Sequence, residues 1–573
     1  MGKEAVIFQS PEFDGNIYIK LTGFKGDIVK NIKKVEYDLV YGTTHHEPIV
    51  KDAPYYLAAS FSNVPNMADE KYYCTVHVTY LDGRIELFET KKITLKNIKF
   101  PEVQRVEQHE VKRFFTTKDN FHAYANAEKY YISILFKKGE NGQNKLQKET
   151  KLSTYNKIKS KSTLIKAFSD ADIRNNSLGK FSELYTIEND NLTTHEMIAL
   201  TEELRSLSYI EFAVLSPILK ENGLSEQSTE EEIHLKKDVQ NETPDFEPLQ
   251  DYLEPTSDKL KGLNIRKAWK HTIGSYSTTR HLDLNGIRQD HEDLEGNITV
   301  VTNSANWEAS NTHSTGCNGV IAAKKNDYGI TGIVHDGNHF SYASNNSANT
   351  KLIADILRDS NAGDVISMSI GLVYHDEDFW GDISIPYIES YDFWLCIKEI
   401  VEKRKAIFVL AAGNGSFPIS DLFKKGFMTD HGDCGVFLAG GCHKETGEWN
   451  APSNSDYHSS HINAWNQYAV TTGRGSLYGE EHAKNAYNKN MGGTSIAAPL
   501  AAATVALIQS YAIEKYNIFL NRDQMLALLQ ATGSADADHT TPHRGKMGHR
   551  PDAAEGIAEI ERIMKDNGKT HYS

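Results

Sequence analysis

Nowhere does this 573-residue chain carry a run approaching the ~18 continuous apolar residues that a membrane span needs. The segment Met1 to Phe8 lacks the apolar core of a secretory signal before Gln9, Ser10 and Pro11. Glu4 and Val6 do not match a myristoylation signal. Cysteine is scarce and odd in number: Cys74, Cys317, Cys396, Cys434 and Cys442 are scattered and have no metal-ligand spacing. That argues against a disulfide framework and for buried thiols in a reducing compartment. Basic charge is in deficit. The formal net charge is −15 and the pI is near 5.9, which argues against general nucleic-acid binding. The one basic cluster, Lys151 to Lys166 with Lys157, Lys159 and Lys161 among Ser and Thr, reads as a solvated linker or face. A mean hydropathy of −0.50 with 39% hydrophobic residues fits a water-soluble chain, and the length allows three or more domains. The expectation from these absences is a cytoplasmic protein without nucleic-acid or membrane partners.

What is present begins with Gly492-Gly493-Thr494-Ser495-Ile496-Ala497-Ala498-Pro499, followed by a small and apolar run from Leu500 to Ile508. A serine between a glycine turn and a buried helix sits where free N–H groups and the positive dipole end stabilise negative charge. A Ser or Thr N-cap on a core helix would read the same way. Three further motifs decide between the two. His313 opens a second small-residue helix in Asn311-Thr312-His313-Ser314-Thr315-Gly316-Cys317. Asn414 follows a buried strand in Phe408-Val409-Leu410-Ala411-Ala412-Gly413-Asn414. Asp283 closes a short strand in Leu282-Asp283-Leu284-Asn285-Gly286, before Asp290-His291-Glu292-Asp293-Leu294.

In the order Asp, His, Asn, Ser, these motifs resemble the subtilisin family of serine proteases, over roughly residues 243–563. The resemblance implies a doubly wound α/β fold with a parallel sheet. It also implies an acyl-enzyme mechanism. Ser495 would be the nucleophile and His313 the base and later the acid. Asp283 would orient His313, and Asn414 with the Ser495 N–H would hold the oxyanion. Val365 to Gly371 looks like the strand lining the cleft, with Ser369, Ile370 and Gly371 holding the substrate backbone. Nothing in these motifs calls for a metal in the chemistry. Many relatives bind structural calcium, but no ligand set for it is legible.

The acid motif departs from the usual pattern. Most members have Asp, one residue, then Gly; counting back from Gly286 by that rule lands on Leu284. Asp283-Leu284-Asn285-Gly286-Ile287 instead resembles a shortened form of a longer Asp-Val-Glu-x-Gly-Trp variant, whose leading Asp is the acid. Asp290 and Asp293 are the nearest substitutes and are expected to face solvent. Ser314 replaces the usual Gly after the histidine, which is tolerable where the backbone does not need φ > 0. Cys317 lies one helical turn past His313, and helix packing is its expected role.

Upstream, residues 1–98 read as a β-sandwich. Val35, Tyr37, Leu39 and Tyr41 alternate, as do Cys74, Val76, Val78 and Tyr80, and Asp82-Gly83 marks a hairpin. The Val-x-Tyr-x-Leu strand and the Asp-Gly hairpin are similar to prokaryotic YEATS-like domains, which implies a binding module. Tyr55, Tyr56, Phe61, Tyr72 and Tyr73 would line its site or, as expected here, its core. Residues 99–218 comprise a linker and a small α+β unit with strands over 181–187 and 209–215. Between them lies a helix opened by the capping box of Thr193 and Glu196, with Met197, Leu200, Leu204 and Leu207 on one stripe. Strand, helix, strand before a protease resembles the subtilisin prodomain, which implies a zymogen. An acidic linker, 219–244, with Ser228-Thr229-Glu230-Glu231-Glu232, precedes the protease segment 245–573. The expected function is a cytoplasmic serine endopeptidase acting on proteins or peptides. Its N-terminal domains would regulate it, with a regulatory partner for the first, in a stress or defence response. The alternative is a catalytically impaired peptide-binding protein whose N-terminal module is the working part.

Overall fold

The computed structural model describes residues 2–52, 57–103, 123–158, 163–175, 178–188, 192–219, 242–308, 311–343, 349–376, 381–424, 428–429, 431–450, 453–454, 460–534 and 548–570. Alternating apolar residues near the N-terminus build two antiparallel sheets. Glu4–Phe8, Ile17–Thr22 and Ala58–Phe61 form one. Ile32–Tyr41, Tyr72–Tyr80 and Ile85–Glu89 form the body of the other. Val35, Tyr37 and Leu39 point into the shared core with Cys74, Val76 and Val78. The Asp82-Gly83 turn closes the last hairpin with Gly83 at φ 85°, and the Tyr80 N–H donates to the Arg84 carbonyl at 2.9 Å. Phe61 and Tyr72 are fully buried core residues and Tyr73 is half-buried; Tyr55 and Tyr56 lie outside the described residues.

The middle unit is a four-stranded antiparallel sheet in the order Thr163–Lys166, Leu184–Glu188, Ala127–Phe136, Ile210–Leu219. The strand expected over 181–187 starts at Leu184, because Gly179–Glu183 winds into a 3₁₀ turn with Phe181 buried beneath it. The basic cluster, expected as a solvated linker or face, carries regular structure in its described parts. It contains the helix Ser153–Ile158, which buries Tyr155 and Ile158, and the edge strand Thr163–Lys166. Lysines on an edge strand discourage pairing with other chains. Lys159 and Lys161, like the acidic stretch Ser228 to Glu232, lie outside the described residues. The helix Thr194–Arg205 has the expected capping box and covers one face of the sheet with Met197, Leu200 and Leu204. The other face docks on two helices of the third unit, Asn349–Asp359 and Tyr391–Glu402.

That third unit is a seven-stranded sheet. Its strands run Ile298–Thr302, Asn338–Ala343, Thr278–Asp283, Val365–Met368, Ile407–Ala411, Phe437–Cys442, Ser460–Trp465, every neighbour parallel. Helices cover both faces, as a parallel sheet requires. Among the described residues one helix is long and apolar enough to cross a membrane, Thr494–Tyr516, and it lies buried in this core. Its alanines let five strands and the helix Thr312–Ala322 approach closely. The latter helix uses its own glycines in the same way. A Cβ on Gly319 would meet the Thr472 and Thr471 hydroxyls at 2.3 and 2.5 Å. Those hydroxyls donate to the helix carbonyls of Thr315 and Gly316 at 2.7 and 2.6 Å.

Candidate active site

Asp283 is the last residue of the strand at which the order of the seven-stranded sheet reverses. Chain connections leave this point in opposite directions, which opens a crevice at the carboxyl ends of the strands. The Asp283 side chain is 3% exposed, and its Oδ2 lies 2.7 Å from Nδ1 of His313. Leu282 and Leu284, on the other parity of the strand, pack into the apolar core instead. Burial by itself would raise the Asp283 pKa. The charge and hydrogen bond of His313 reverse this and, with the His281 ring 3.5 Å away, hold the carboxyl well below the usual range. Oδ1 accepts from the Asn285 N–H at 3.3 Å, an Asx turn that carries the chain away from the sheet.

His313 is the second residue of the helix Thr312–Ala322, and Ser314 beside it has ordinary helical backbone, so no glycine is needed there. Asp290 pairs with Arg288 at 2.9 Å. Asp293, expected to face solvent, is fully buried. It accepts from Asn326 Nδ2 at 3.0 Å, the Ile330 N–H at 2.8 Å and the Tyr487 hydroxyl at 2.9 Å. The turn that follows it folds back under the loop 324–330, and burial pushes its pKa up to about 6.

Ser495 is the second residue of the core helix, one turn of backbone from a glycine that cannot be replaced. Gly493 has φ 74°, and a Cβ there would stand 3.2 Å from Asn414 Nδ2. The Thr494 N–H and hydroxyl both donate to Asn414 Oδ1 at 2.9 Å. A backbone N–H can only donate, so this pair fixes which end of the amide is oxygen and leaves Nδ2 on the other side. The Asn414 turn is itself held by the buried Asn454. Its Oδ1 accepts from the N–H groups of Gly415 and Phe417, and its Nδ2 donates to the carbonyls of Ser384 and Ala412.

The carbonyl of Ser495 has no helical donor, because residue 499 is proline and carries no N–H. Two side chains take that place. Ser369 Oγ donates to it at 2.8 Å and Cys317 Sγ at 3.3 Å. Cys317 lies on the histidine helix, so its thiol ties the Ser495 turn to the His313 turn. Residues 369–371 are largely enclosed: Ser369 is 4% and Ile370 2% exposed. Gly371 pairs with Pro386 in the hairpin of Gly371–Asp376 with Gly381–Pro386. From the other side, Asn126 Nδ2 donates to the Gly371 carbonyl and the Val373 N–H donates to Asn126 Oδ1, both at 3.0 Å. A side-chain amide from the middle unit thus occupies backbone groups of the kind an added strand would pair with.

Asp283 touches His313, Asn414 holds Thr494 beside Ser495, and Cys317 links the histidine helix to the Ser495 carbonyl; all of these residues fall within the segment that matches a known family. Residues 274–548 match the Peptidase S8 subtilase family. A stretch of 142 residues is 26% identical to the minor extracellular protease Epr of Bacillus subtilis (strain 168), covering 23% of this chain. The match spans only 22% of that relative's length. Solved structures similar to this chain include the prenylagaramide maturation protease PagA, at 17% identity and a TM-score of 0.38, covering 52% of this chain and 98% of that one. The MycP3 protease from the type VII (ESX-3) secretion system is another, at 15% identity and a TM-score of 0.36, covering 53% and 90%.

The residues around the subtilase-matching site that sequence reasoning did not single out are His281, Thr494, Asn454, Asn126 and Pro499. His281 had one signal: it stands two residues before Asp283 on a strand, hence on the same face.

Proposed function

We propose that the protein is a serine endopeptidase that cleaves peptide bonds through an acyl-enzyme formed on Ser495. In this reading His313 takes the proton of the Ser495 hydroxyl as the hydroxyl attacks the substrate carbonyl, then returns it to the leaving amine. Asp283 holds Nδ1–H of the ring, fixes its tautomer and stabilises the imidazolium. The Ser495 N–H and Asn414 Nδ2 receive the oxyanion, and preorganised donors of this kind are worth roughly 3 kcal/mol each. Residues 369–371 hold the substrate as an added strand once Asn126 has withdrawn. The observation that carries the proposal is the 2.7 Å contact between a buried Asp283 and Nδ1 of His313, at the sheet's reversal point. It also supplies an acid in contact with His313, which weakens the reading of an impaired, peptide-binding protein.

We read the middle unit as a prodomain that restrains the site, and residues 1–98 as a regulatory module of the YEATS-like kind that answers a partner. Support for restraint comes from Asn126 and from the buried contacts of the middle sheet with the subtilase-matching segment. Tyr131 accepts from the Thr350 N–H at 2.8 Å, and Phe212 packs edge-on against Tyr391 with ring centroids 5.5 Å apart. Five buried thiols, none disulfide-bonded, fit work in a reducing cytoplasm, in a stress or defence response. For a structural calcium, the oxygen donors around Asp293 fit best, since Asn326 Oδ1 is buried there without a hydrogen-bond partner. The test is labelling by a fluorophosphonate probe. Label is expected on the wild type, increased by limited proteolysis, and absent from Ser495→Ala. No Ser495-dependent label before or after proteolysis would sink the proposal.

A further inference from the structure

His281 lies beside Asp283 and Cys317. It is 1% exposed, and both of its ring nitrogens are buried without a hydrogen-bond partner. An imidazole enclosed in this way lacks the hydrogen bonds that water would supply. Its Nε2 stands 3.5 Å from Asp283 Oδ2, without hydrogen-bond geometry. The Cys317 thiol completes a triangle. One ligand atom each from His281, Asp283 and Cys317 lie within 4.8 Å of one another, and all three residues are buried.

We propose that His281, Asp283 and Cys317 form a binding site for a borderline-soft divalent cation, zinc first, whose occupancy switches the catalytic centre off. The donor set of imidazole, carboxylate and thiolate is that of zinc and of cobalt, and not of calcium or magnesium, which take oxygen. Bonds of about 2.1 Å in a tetrahedron place ligand atoms roughly 3.4 Å apart. The His281–Asp283 separation of 3.5 Å already meets that, and Cys317, within 4.8 Å of both, must close by about 1.4 Å at most. Two of the ligands sit on one face of a central strand and the third on a helix packed against it, so little ordering is needed. A divalent ion with one carboxylate and one thiolate is formally neutral, which lowers the cost of burying it. The fourth position goes to water, reached past His313, whose side chain is 16% exposed.

Binding releases the thiol proton, which now bonds the Ser495 carbonyl, to solvent; Ser369 remains as donor to that carbonyl. The decisive change is at Asp283. The oxygen that faces His281 at 3.5 Å is the same Oδ2 that faces Nδ1 of His313 at 2.7 Å. Once that oxygen coordinates a cation, its negative charge is shared with the metal, so it orients His313 and stabilises an imidazolium less well. The inhibitory half of this inference rests on the catalytic reading above; the binding half does not.

Full-length protein freed of metal and titrated with Co²⁺ is expected to take up one ion per chain with a thiolate-to-cobalt charge-transfer band, displaced by Zn²⁺. Cys317→Val and His281→Gln should each weaken binding on the order of tenfold or more. Cys317→Val should abolish the band, while Cys434→Ala keeps both band and affinity. Circular dichroism and thermal unfolding of each metal-free variant establish that it is folded. A folded wild type without the band, or a band that persists in Cys317→Val, overturns the site. Zn²⁺ is also expected to suppress Ser495 labelling in the wild type, with a chelator restoring it. Zinc binding that leaves labelling unchanged overturns the switch. Absence of labelling in every preparation refutes the catalytic reading, while the cobalt titration still decides the site.

Discussion

At the scale of single residues, the site depends on side chains that each do two things. Asn414 holds the start of the core helix through Oδ1 and keeps Nδ2 beside Gly493 as a donor. Asn414→Ala would remove both, so loss of activity would say little. Asn414→Asp keeps an acceptor for Thr494 and removes the donor. It should leave the urea midpoint nearly unchanged and lower kcat by about 10²–10³, the usual cost of one oxyanion donor. A variant as active as wild type would assign Asn414 a purely structural role. The residue types of this constellation were readable from the sequence because each sits in a local pattern, a glycine turn or a helix start. His281 was not, because nothing local distinguishes a buried histidine on a strand from a surface one.

At the scale of elements, the proline inside the core helix has a consequence one strand away. With no N–H at residue 499, the Ser495 carbonyl depends on Ser369 and Cys317. Ser369→Ala should therefore cost about 1 kcal/mol of stability. Pro499→Ala restores a helical donor, so it should recover most of that loss in the double variant. A double-mutant cycle by denaturant unfolding measures the coupling, and additive effects would refute the link.

A second element-level effect concerns pH. Burial pushes Glu389, in the turn before the helix Tyr391–Glu402, up to about 8 from 4.5, against hydrogen bonds from Thr429. A raised carboxyl binds its proton more tightly in the native state, so its contribution to stability falls as pH rises from 4.5 to 8. The slope is at most about 1.4 kcal/mol per pH unit. Relative to wild type, Glu389→Gln should gain stability steadily between pH 5 and pH 8 in urea titrations. A difference that does not change with pH would show that Glu389 ionises freely.

At the scale of the whole molecule, the three units recognised along the sequence share apolar cores. One cluster joins Val35 and Tyr37 of the first unit with Leu135 and Phe212 of the second and Ile397 of the third. Phe8 and Tyr18 pack on Phe519, and the backbones of Gln9 and Phe519 exchange a 3.0 Å hydrogen bond. Deleting residues 1–98 would uncover that surface, so a point change in the interface is the better probe of regulation. Tyr131→Phe leaves the Thr350 N–H without its acceptor, while the Thr350 hydroxyl keeps Asp392 Oδ2 at 2.6 Å. It should loosen the middle unit by about 1–3 kcal/mol and raise Ser495 labelling of the uncleaved chain. Unchanged labelling in a folded Tyr131→Phe protein would argue against restraint by this contact.

The sequence by itself determined the order and kind of the reactive side chains, the strand alternation of the first unit and the capped helix of the second. All of these follow from short-range rules: glycine where φ is positive, alternation on a pleat, a hydroxyl at a helix start. Tertiary structure alone decided why Ser369 and Cys317 turn toward Ser495, and that Asn126 reaches the 371–373 backbone. It also turned Asp293 inward and made an edge strand of Thr163–Lys166 at the end of the lysine-rich segment. Those outcomes depend on contacts between residues tens to hundreds of positions apart, and close packing rather than local preference selects among them.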